Sequence, residues 1–255
     1  MKYGDSDWSE LLSQMILSSA SVYHPVAEEE EETPAWVPTD IDGCTLWLKA
    51  DQITGLDDGD SVGTWEDQSG EGNDVSQETA NKKPTYKVDI LNGKPVVRFD
   101  GTDDRLGLAT MSISVPYTTI WVVRCTDDDS ESVVADMGTE YIRAFNDRFS
   151  VSGTDYCNVF DSRIDYDMAS FASFVFVHNS QDSVAKINGD DADGSFFIRP
   201  DYASKDITSF DIGELAHSAY PLSIDIAEII VYNSAVSGTN LDNVHTYANN
   251  EYSLW

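Results

Sequence analysis

The sequence predicts a mainly β chain, folded as an antiparallel β-sandwich or jelly roll with a short C-terminal helix and an N-terminal amphipathic helical arm. From Ile41 onward, short runs rich in β-branched and aromatic residues alternate with turns rich in Gly, Asn and Asp, without intervening helices. The first forty residues differ in composition and contain an apolar stripe with helical spacing. We therefore divide the chain into residues 1–40, the arm and linker, and residues 41–255, the sandwich.

The predicted arm begins with an amphipathic helix. Its apolar residues recur at i, i+3, i+4, i+7 and i+8 and form one stripe: Trp8, Leu11, Leu12, Met15 and Ile16. Asp7 and Glu10 match an N-terminal capping signal. Because a helix of about twelve residues is marginal alone in water, we expect the stripe to dock on a partner.

An acidic linker containing prolines comes after the helix. The five glutamates at residues 28–32 repel one another and favour an extended chain, and Pro34 and Pro38 stiffen the residues between the glutamates and the sandwich. We interpret the linker as a tether that holds the sandwich away from its anchor. The alternative is that the helix folds back on its own sandwich.

Eight later segments have the length and composition of β-strands. The predicted strands are residues 44–50, 95–99, 118–125, 141–145, 171–178, 183–187, 206–212 and 224–232. Turn sequences such as 91–94 and 188–190 separate them. A single short helix is predicted near the end of the sequence, where Leu241, Val244, His245 and Ala248 share one face.

Four separated blocks of sequence resemble laminin-G-like domains of the concanavalin A-like superfamily. In order, they are LWLKAD at 46–51, WEDQSGEGND at 65–74, KPVVRFDG at 94–101 and AEIIVYNSAVS at 227–237. The segment 247–252 is similar to the terminal helix of that family. The resemblance covers residues 41–255 and implies a concanavalin A-like sandwich. Such domains serve as lectins, enzyme appendages, adhesins and bacteriophage structural proteins, so the fold does not choose among these functions.

Two motifs are typical of enzymes. Residues 59–63, GDSVG, match a nucleophile elbow, but the residues after them cannot start the long helix that this motif needs, so we expect a plain turn. Some glucanases of the resembled fold carry two glutamates flanking an aspartate on one strand, which suits retaining hydrolysis by carboxyls ~5 Å apart. Here Ser223 replaces the nucleophilic glutamate, while Asp225 and Glu228 remain. We therefore expect no enzymatic activity and interpret Asp225 and Glu228 as residues of the last strand.

Calcium is the one cofactor that the sequence suggests. The candidate ligands are Asp67, Ser69, Asn73 and Asp74, which bear oxygen and lie among glycines that allow a tight wrap. The segment lacks EF-hand spacing. A polar turn fixed by Asx hydrogen bonds explains the same residues, and we favour it over a calcium site.

Glycan binding would require exposed aromatic residues beside hydrogen-bonding side chains. The candidates are Trp36, Trp65, Trp121, Tyr141, Tyr156, Tyr166 and Tyr202. The sequence does not separate exposed members of this set from core members. The four histidines are scattered without an H-x-x-x-H pair, which favours packing or exposure over a zinc site.

Charge and cysteine content limit the partners. The chain has 46 acidic and 15 basic residues, a net charge of −31, which excludes sequence-independent nucleic-acid binding and disfavours anionic membranes.

Cys44, Cys125 and Cys157 match neither a disulfide framework nor a zinc site, and we expect reduced, mostly buried thiols. We see no signal peptide or membrane-spanning segment, which favours synthesis in a cytoplasm.

Together these features predict a non-enzymatic virion structural protein that displays a lectin-like domain on a phage head or tail. Its partners would be other virion proteins, bound through the arm, and a host-surface glycan, with the protein present in several copies or as a homo-oligomer. It would be made in the host cytoplasm and lie on the virion surface. The alternative is a secreted or surface lectin or carbohydrate-binding module. A glycoside hydrolase is less favoured because the nucleophile is missing.

Overall fold

The computed structural model describes most of the predicted sandwich. The described residues are 36–108, 110–125, 132–144, 149–153, 158–161, 169–191, 205–213 and 223–255. The docking stripe of the predicted arm (Trp8, Leu11, Leu12, Met15 and Ile16) lies outside them, as do the five linker glutamates. Residues Trp36–Trp255 form one compact unit.

The described residues contain two antiparallel sheets of eight strands each, which confirms the predicted β-sandwich. The strands of sheet A are β1 (Cys44–Lys49), β4 (Thr85–Leu91), β5 (Lys94–Asp100), β7 (Tyr117–Cys125), β12 (Ala172–His178), β13 (Val184–Ile187), β14 (Asp190–Asp191) and β16 (Ser223–Tyr232). Those of sheet B are β2 (Thr64–Trp65), β3 (Val75–Ser76), β6 (Arg105–Leu108), β8 (Ser132–Asp136), β9 (Glu140–Ala144), β10 (Phe149–Gly153), β11 (Asn158–Asp161) and β15 (Phe210–Gly213). All eight predicted strands are present, although β15 begins only at Phe210.

Strand order places β16 at the centre of sheet A. The order is β14-β13-β12-β7-β16-β5-β4, and β1 pairs with the second half of β16 beside β5. Sheet B has the order β11-β10-β9-β8-β15-β6-β3-β2. A register shift between Ile226 and Glu228 marks a bulge in β16, which changes the alternation of its side chains between the two faces of the sheet.

The main core lies between the two sheets. Ile224, Ile226, Ile229 and Val231 of β16 are buried there together with residues of sheet B. The rings of Trp121 on β7 and Phe210 on β15 stack across the sandwich, with centroids 5.8 Å apart.

A second apolar layer covers the outer face of sheet A. The C-terminal helix α1 (Thr239–Tyr252) packs on strands β7, β12 and β16. The predicted apolar face is confirmed, because Leu241, Val244, His245 and Ala248 are all buried. This cover explains why both faces of β16 are buried over almost its whole length. Among the described helices, none is long and apolar enough to cross a bilayer.

The described domain begins before the predicted boundary at residue 41. The ring of Trp36 lies edge-on to Tyr247 of α1, with centroids 5.5 Å apart, and the buried Tyr232 hydroxyl donates to the Pro38 carbonyl at 3.0 Å. Residues 36–40, assigned to the linker from sequence, therefore pack on the sandwich, because Trp36 completes the apolar layer around α1.

Two of the three cysteines are described. Cys44 and Cys125 are free and buried, as expected from the sequence, whereas Cys157 lies outside the described residues. Burial raises the pKa of each of these two thiols to about 12, so both stay protonated at neutral pH.

Candidate functional site

The four predicted calcium ligands lie in the loop that joins β2 to β3. Asp67 accepts four hydrogen bonds within this region. Its Oδ1 accepts the backbone N–H groups of Trp47 at 2.8 Å and Ser69 at 2.9 Å. Its Oδ2 accepts the Ser69 hydroxyl at 2.7 Å and the Asn73 N–H at 2.9 Å. The loop is thus wrapped around one carboxylate and tied through it to β1.

The other predicted ligands extend the same network. The Asp67 N–H donates to Asp74 Oδ1 at 2.8 Å, and the Asn73 side-chain amide donates to the Thr45 carbonyl at 2.6 Å. These contacts are those of a polar turn fixed by Asx hydrogen bonds. A calcium ion, which takes six to eight oxygens, would compete with them for the Asp67 carboxylate. Calcium binding therefore stays a prediction that requires a direct measurement.

A second acidic group was not singled out from the sequence. Carboxylate oxygens of Asp100, the last residue of β5, and of Asp103 and Asp104 in the turn after it lie within 4.8 Å of one another. Burial raises the pKa of Asp104 to about 6, with additional repulsion from Asp100 and Asp103. Asp104 Oδ2 also accepts the Asp100 N–H at 2.9 Å, so this carboxylate fixes the turn between β5 and β6.

Asp225 and Glu228 lie on the last strand, as expected, and both are bound within the protein. Asp225 is fully buried and accepts hydrogen bonds from the guanidinium groups of two neighbouring strands: Arg98 on β5 at 2.6 and 2.8 Å, and Arg124 on β7 at 2.9 Å. The Ser223 hydroxyl donates to the Asp100 carbonyl at 3.1 Å. The two positions that match the glucanase pattern therefore form structural contacts.

Glu228 lies beneath helix α1 and is 1% exposed. Its Oε1 accepts the Tyr247 hydroxyl at 2.7 Å and the indole N–H of Trp47. Burial raises its pKa to about 7, while these two hydrogen bonds and the Lys49 ammonium oppose the increase. Lys49 also pairs with Glu251 near the end of the helix at 3.0 Å. The buried carboxyl thus joins the helix to the sheet.

The nucleophile-elbow motif is a turn, as predicted. Ser61 forms an isolated bridge with Thr85, and the strand Thr64–Trp65 comes next where the motif requires a helix. Ser61 is exposed and lies at no strand-to-helix junction.

A small cavity adjoins the Asp67 loop. It has a volume of about 150 Å³ and is lined mostly by polar side chains, including Lys49, Gln52, Glu66 and Gln68. Trp65 also lines it and is fully buried, with an indole N–H that has no acceptor among the described residues. The volume is below the roughly 300–1,000 Å³ of common ligand pockets, which favours a few water molecules over a sugar.

The four predicted aromatic candidates for glycan binding that the structure describes are all buried or half-buried. Trp65 and Trp121 are fully buried in the core. Trp36 and Tyr141 are half-buried, the latter with the Arg143 guanidinium 5.4 Å from its ring centre. The remaining candidates, Tyr156, Tyr166 and Tyr202, lie outside the described residues.

The sequence-based set missed Trp255. Its side chain is 53% exposed, the largest value among the exposed large apolar side chains that the structure describes. The sequence could have indicated Trp255, because this tryptophan lies three residues beyond the amphipathic helix and in no predicted strand. Trp255 lies beside the polar residues at the end of α1.

No protein-family model and no curated protein matches the sequence. Solved structures do match it. Trypanosoma rangeli sialidase with 2,3-difluorosialic acid aligns with a TM-score of 0.57 and 11% identity over 94% of this chain and 38% of that chain. The chain therefore spans well under half of the sialidase.

Two further matches are described as domains. Domain 4 of AbnA, a GH43 extracellular arabinanase from Geobacillus stearothermophilus, in complex with arabinotriose, aligns with a TM-score of 0.57 and 12% identity over 80% of this chain and 98% of that chain. The binding domain of Paraclostridial Mosquitocidal Protein 1 aligns with a TM-score of 0.57 and 11% identity over 82% of this chain and 53% of that chain. At these identities the likeness shows the fold alone, a β-sandwich.

Proposed function

We propose that this chain is a non-enzymatic, lectin-like protein whose sandwich binds glycans. The observation that carries the proposal is the likeness to the arabinanase domain, which this chain matches over 98% of that domain's length. That domain was solved with arabinotriose bound. A match to a whole glycan-bound domain supports glycan binding by the sandwich alone, without an attached catalytic domain.

The internal contacts of the last strand support binding without catalysis. A retaining hydrolase needs two carboxyls facing the substrate. Asp225 is held by two arginines and Glu228 lies beneath α1, so neither carboxyl faces solvent. The sialidase match favours a second candidate, a glycoside hydrolase, but this chain covers only 38% of that enzyme.

A glycan array with the full chain tests the binding function. We expect retention of at least one class of oligosaccharide and no shortened products when the bound glycan is recovered and analysed by mass spectrometry. Cleaved products would favour the hydrolase instead. Absence of binding to every glycan would contradict the lectin-like function.

We further propose that the sandwich is displayed on a bacteriophage head or tail by its N-terminal arm. The support is the apolar helical stripe, the five-glutamate linker and the protonated, buried thiols of Cys44 and Cys125, which fit synthesis in a host cytoplasm. In this proposal the stripe binds an apolar groove on another virion protein, and several copies on a symmetric shell add avidity.

The double change Trp8→Ala with Leu12→Ala tests the arm. Loss of a buried anchor typically costs about 2 kcal/mol, or roughly thirtyfold in affinity. We expect mass spectrometry of purified particles to find the variant depleted, while its melting temperature stays unchanged. The matched control is Ser9→Ala with Ser13→Ala on the opposite helix face, which should incorporate normally.

Normal incorporation of the Trp8 and Leu12 variant would contradict the display proposal. A much lower melting temperature would show instead that the stripe belongs to a core.

A further inference from the structure

A groove beside helix α1 combines an exposed aromatic ring with polar groups. It has a volume of about 350 Å³ and lies between the turn that joins β13 to β14 and the side of the helix that runs from Asp242 to Asn250. Gly189 in that turn brings the walls together. A Cβ added there would lie 3.5 Å from the Trp255 ring and 3.7 Å from His245.

Trp255 forms one wall of the groove. Its backbone N–H donates to Asn249 Oδ1 at 3.0 Å, and Cζ2 of its indole is the atom that a Cβ added at Gly189 would approach to 3.5 Å. The residue is 53% exposed. An exposed indole offers a flat apolar surface with a polar edge, which suits the C–H face of a sugar ring.

His245 borders the same groove and is 6% exposed. Neither ring nitrogen has a hydrogen-bond partner in the part of the chain that the structure describes. Burial lowers its pKa to about 4, with a smaller effect from Lys186, so the ring is neutral at pH 7. A neutral imidazole has one donor and one acceptor, and leaving both unpaired in a buried position is unfavourable. Both nitrogens are shielded from solvent, so a ligand hydroxyl pairs with one of them once the groove wall shifts.

Acidic and amide side chains surround the opening. Asp190, Asp242, Thr246 and Asn250 are exposed and line the groove. Of the charged groups near His245, Lys186 is basic, whereas Asp190 and Asp242 are acidic. Carboxylates accept hydrogen bonds from sugar hydroxyls but repel an anionic ligand, and the net charge of −31 adds to that repulsion.

We infer that this groove is the glycan-binding site and that it takes a neutral, polyhydroxylated sugar residue. The sugar ring packs on Trp255, one hydroxyl pairs with His245, and others donate to Asp190 and Asp242. The inference rests on the proposed lectin-like function and adds its location and ligand class. It also separates this site from sialic acid recognition, because an acidic sugar would place its carboxylate among these aspartates.

The test uses the full chain on an array that carries neutral and sialylated oligosaccharides. We expect binding to neutral glycans only, and at least a tenfold loss of affinity in Trp255→Ala. Trp255→Phe should retain part of the affinity because it keeps an aromatic face. The matched control is Val88→Ala, which removes another exposed apolar side chain at the opposite edge of sheet A and should bind like wild type.

A second variant tests the groove without removing one of its walls, so that a loss of binding in Trp255→Ala is not mistaken for a loss of folding. Thr246→Trp adds bulk to the groove from an exposed helix position and should also abolish binding. Wild-type affinity in both Trp255→Ala and Thr246→Trp would overturn the site while leaving the lectin-like function intact. Binding restricted to sialylated glycans would overturn the ligand class. Failure of the wild-type protein to bind any glycan would overturn both the site and the function.

Discussion

Helix α1 has two sides, and each borders a buried ionisable side chain. On the side facing the sheet, Glu228 accepts hydrogen bonds from Trp47 and Tyr247. His245 lies on the edge of the buried helix face, where that face borders the groove, and neither of its ring nitrogens has a partner among the described residues. The difference indicates two roles for one helix. The Glu228 carboxyl, bonded through Oε1, holds the helix on the sandwich, whereas both nitrogens of the imidazole at the border of the groove lack a partner among the described residues.

The largest effect that we expect is a pH-dependent contribution of Glu228 to the free energy of unfolding. The folded-state pKa of Glu228 is about 7 against an ordinary value of 4.5, so the folded protein binds this proton more tightly than the unfolded chain. Its contribution is fully present below pH 4.5 and is lost as the pH rises through about 7. A shift of this size corresponds to roughly 3 kcal/mol in the free energy of unfolding.

Urea unfolding of wild type and Glu228→Gln between pH 4 and 8 measures this contribution. We expect the wild-type free energy of unfolding to fall across that range more steeply than that of the variant. Asp104→Asn is the matched control, since Asp104 also has a raised pKa, about 6, but lies away from the helix. Parallel pH profiles for wild type and Glu228→Gln would show that folding does not shift the pKa of Glu228.

The second prediction concerns the side facing the groove. His245→Phe removes two unpaired ring nitrogens, so we expect the free energy of unfolding to change by no more than about 1 kcal/mol, with a slight gain favoured. Glycan affinity should nevertheless fall about tenfold, the loss of one hydrogen bond of ~1.4 kcal/mol. A large loss of stability with unchanged affinity would assign His245 to the structural side of the helix.

The third prediction has the smallest effect. It concerns the change in melting temperature when calcium is added, which tests the Asp67 loop as a calcium site. Since Asp67 already accepts four hydrogen bonds, we expect millimolar calcium to raise the melting temperature by less than about 1 °C. Calcium at a hundred times its dissociation constant would add ~2.7 kcal/mol and several degrees. Magnesium at the same concentration is the control for general screening. A calcium-specific increase that Asp67→Asn abolishes would show a calcium site in the loop.

Long apolar patterns made the centre of the fold predictable. Strand β16 and the buried face of α1 were both predicted from the sequence. Long apolar runs such as residues 224–232 are expected to be buried whichever element packs on them. Strands β2 and β3 contain two residues each, too few for a pattern. Strand β4 was missed because polar residues interrupt it and its pairing with β5 shifts register between Lys87 and Leu91.

The candidate site was less predictable because it depends on tertiary neighbours. The two acidic residues of β16, Asp225 and Glu228, and the residues of the Asp67 loop could be chosen by type, but not their hydrogen-bond partners. Glu228 became buried only because α1 covers the outer face of sheet A. His245 was predicted on the apolar helix face, but the helical pattern could not show that its ring nitrogens lack a partner among the described residues. Trp255 lies three residues beyond the end of the helix, where helical spacing no longer sets the direction of a side chain.

The central claim is that the chain binds neutral glycans and leaves them intact. Equilibrium dialysis of the full chain against a mixture of neutral and sialylated oligosaccharides, with both compartments analysed by mass spectrometry, tests it most directly. We predict enrichment of intact neutral oligosaccharides on the protein side, no enrichment of sialylated ones and no shortened products in either compartment. Equal concentrations across the membrane, or the appearance of shortened oligosaccharides, would contradict the claim.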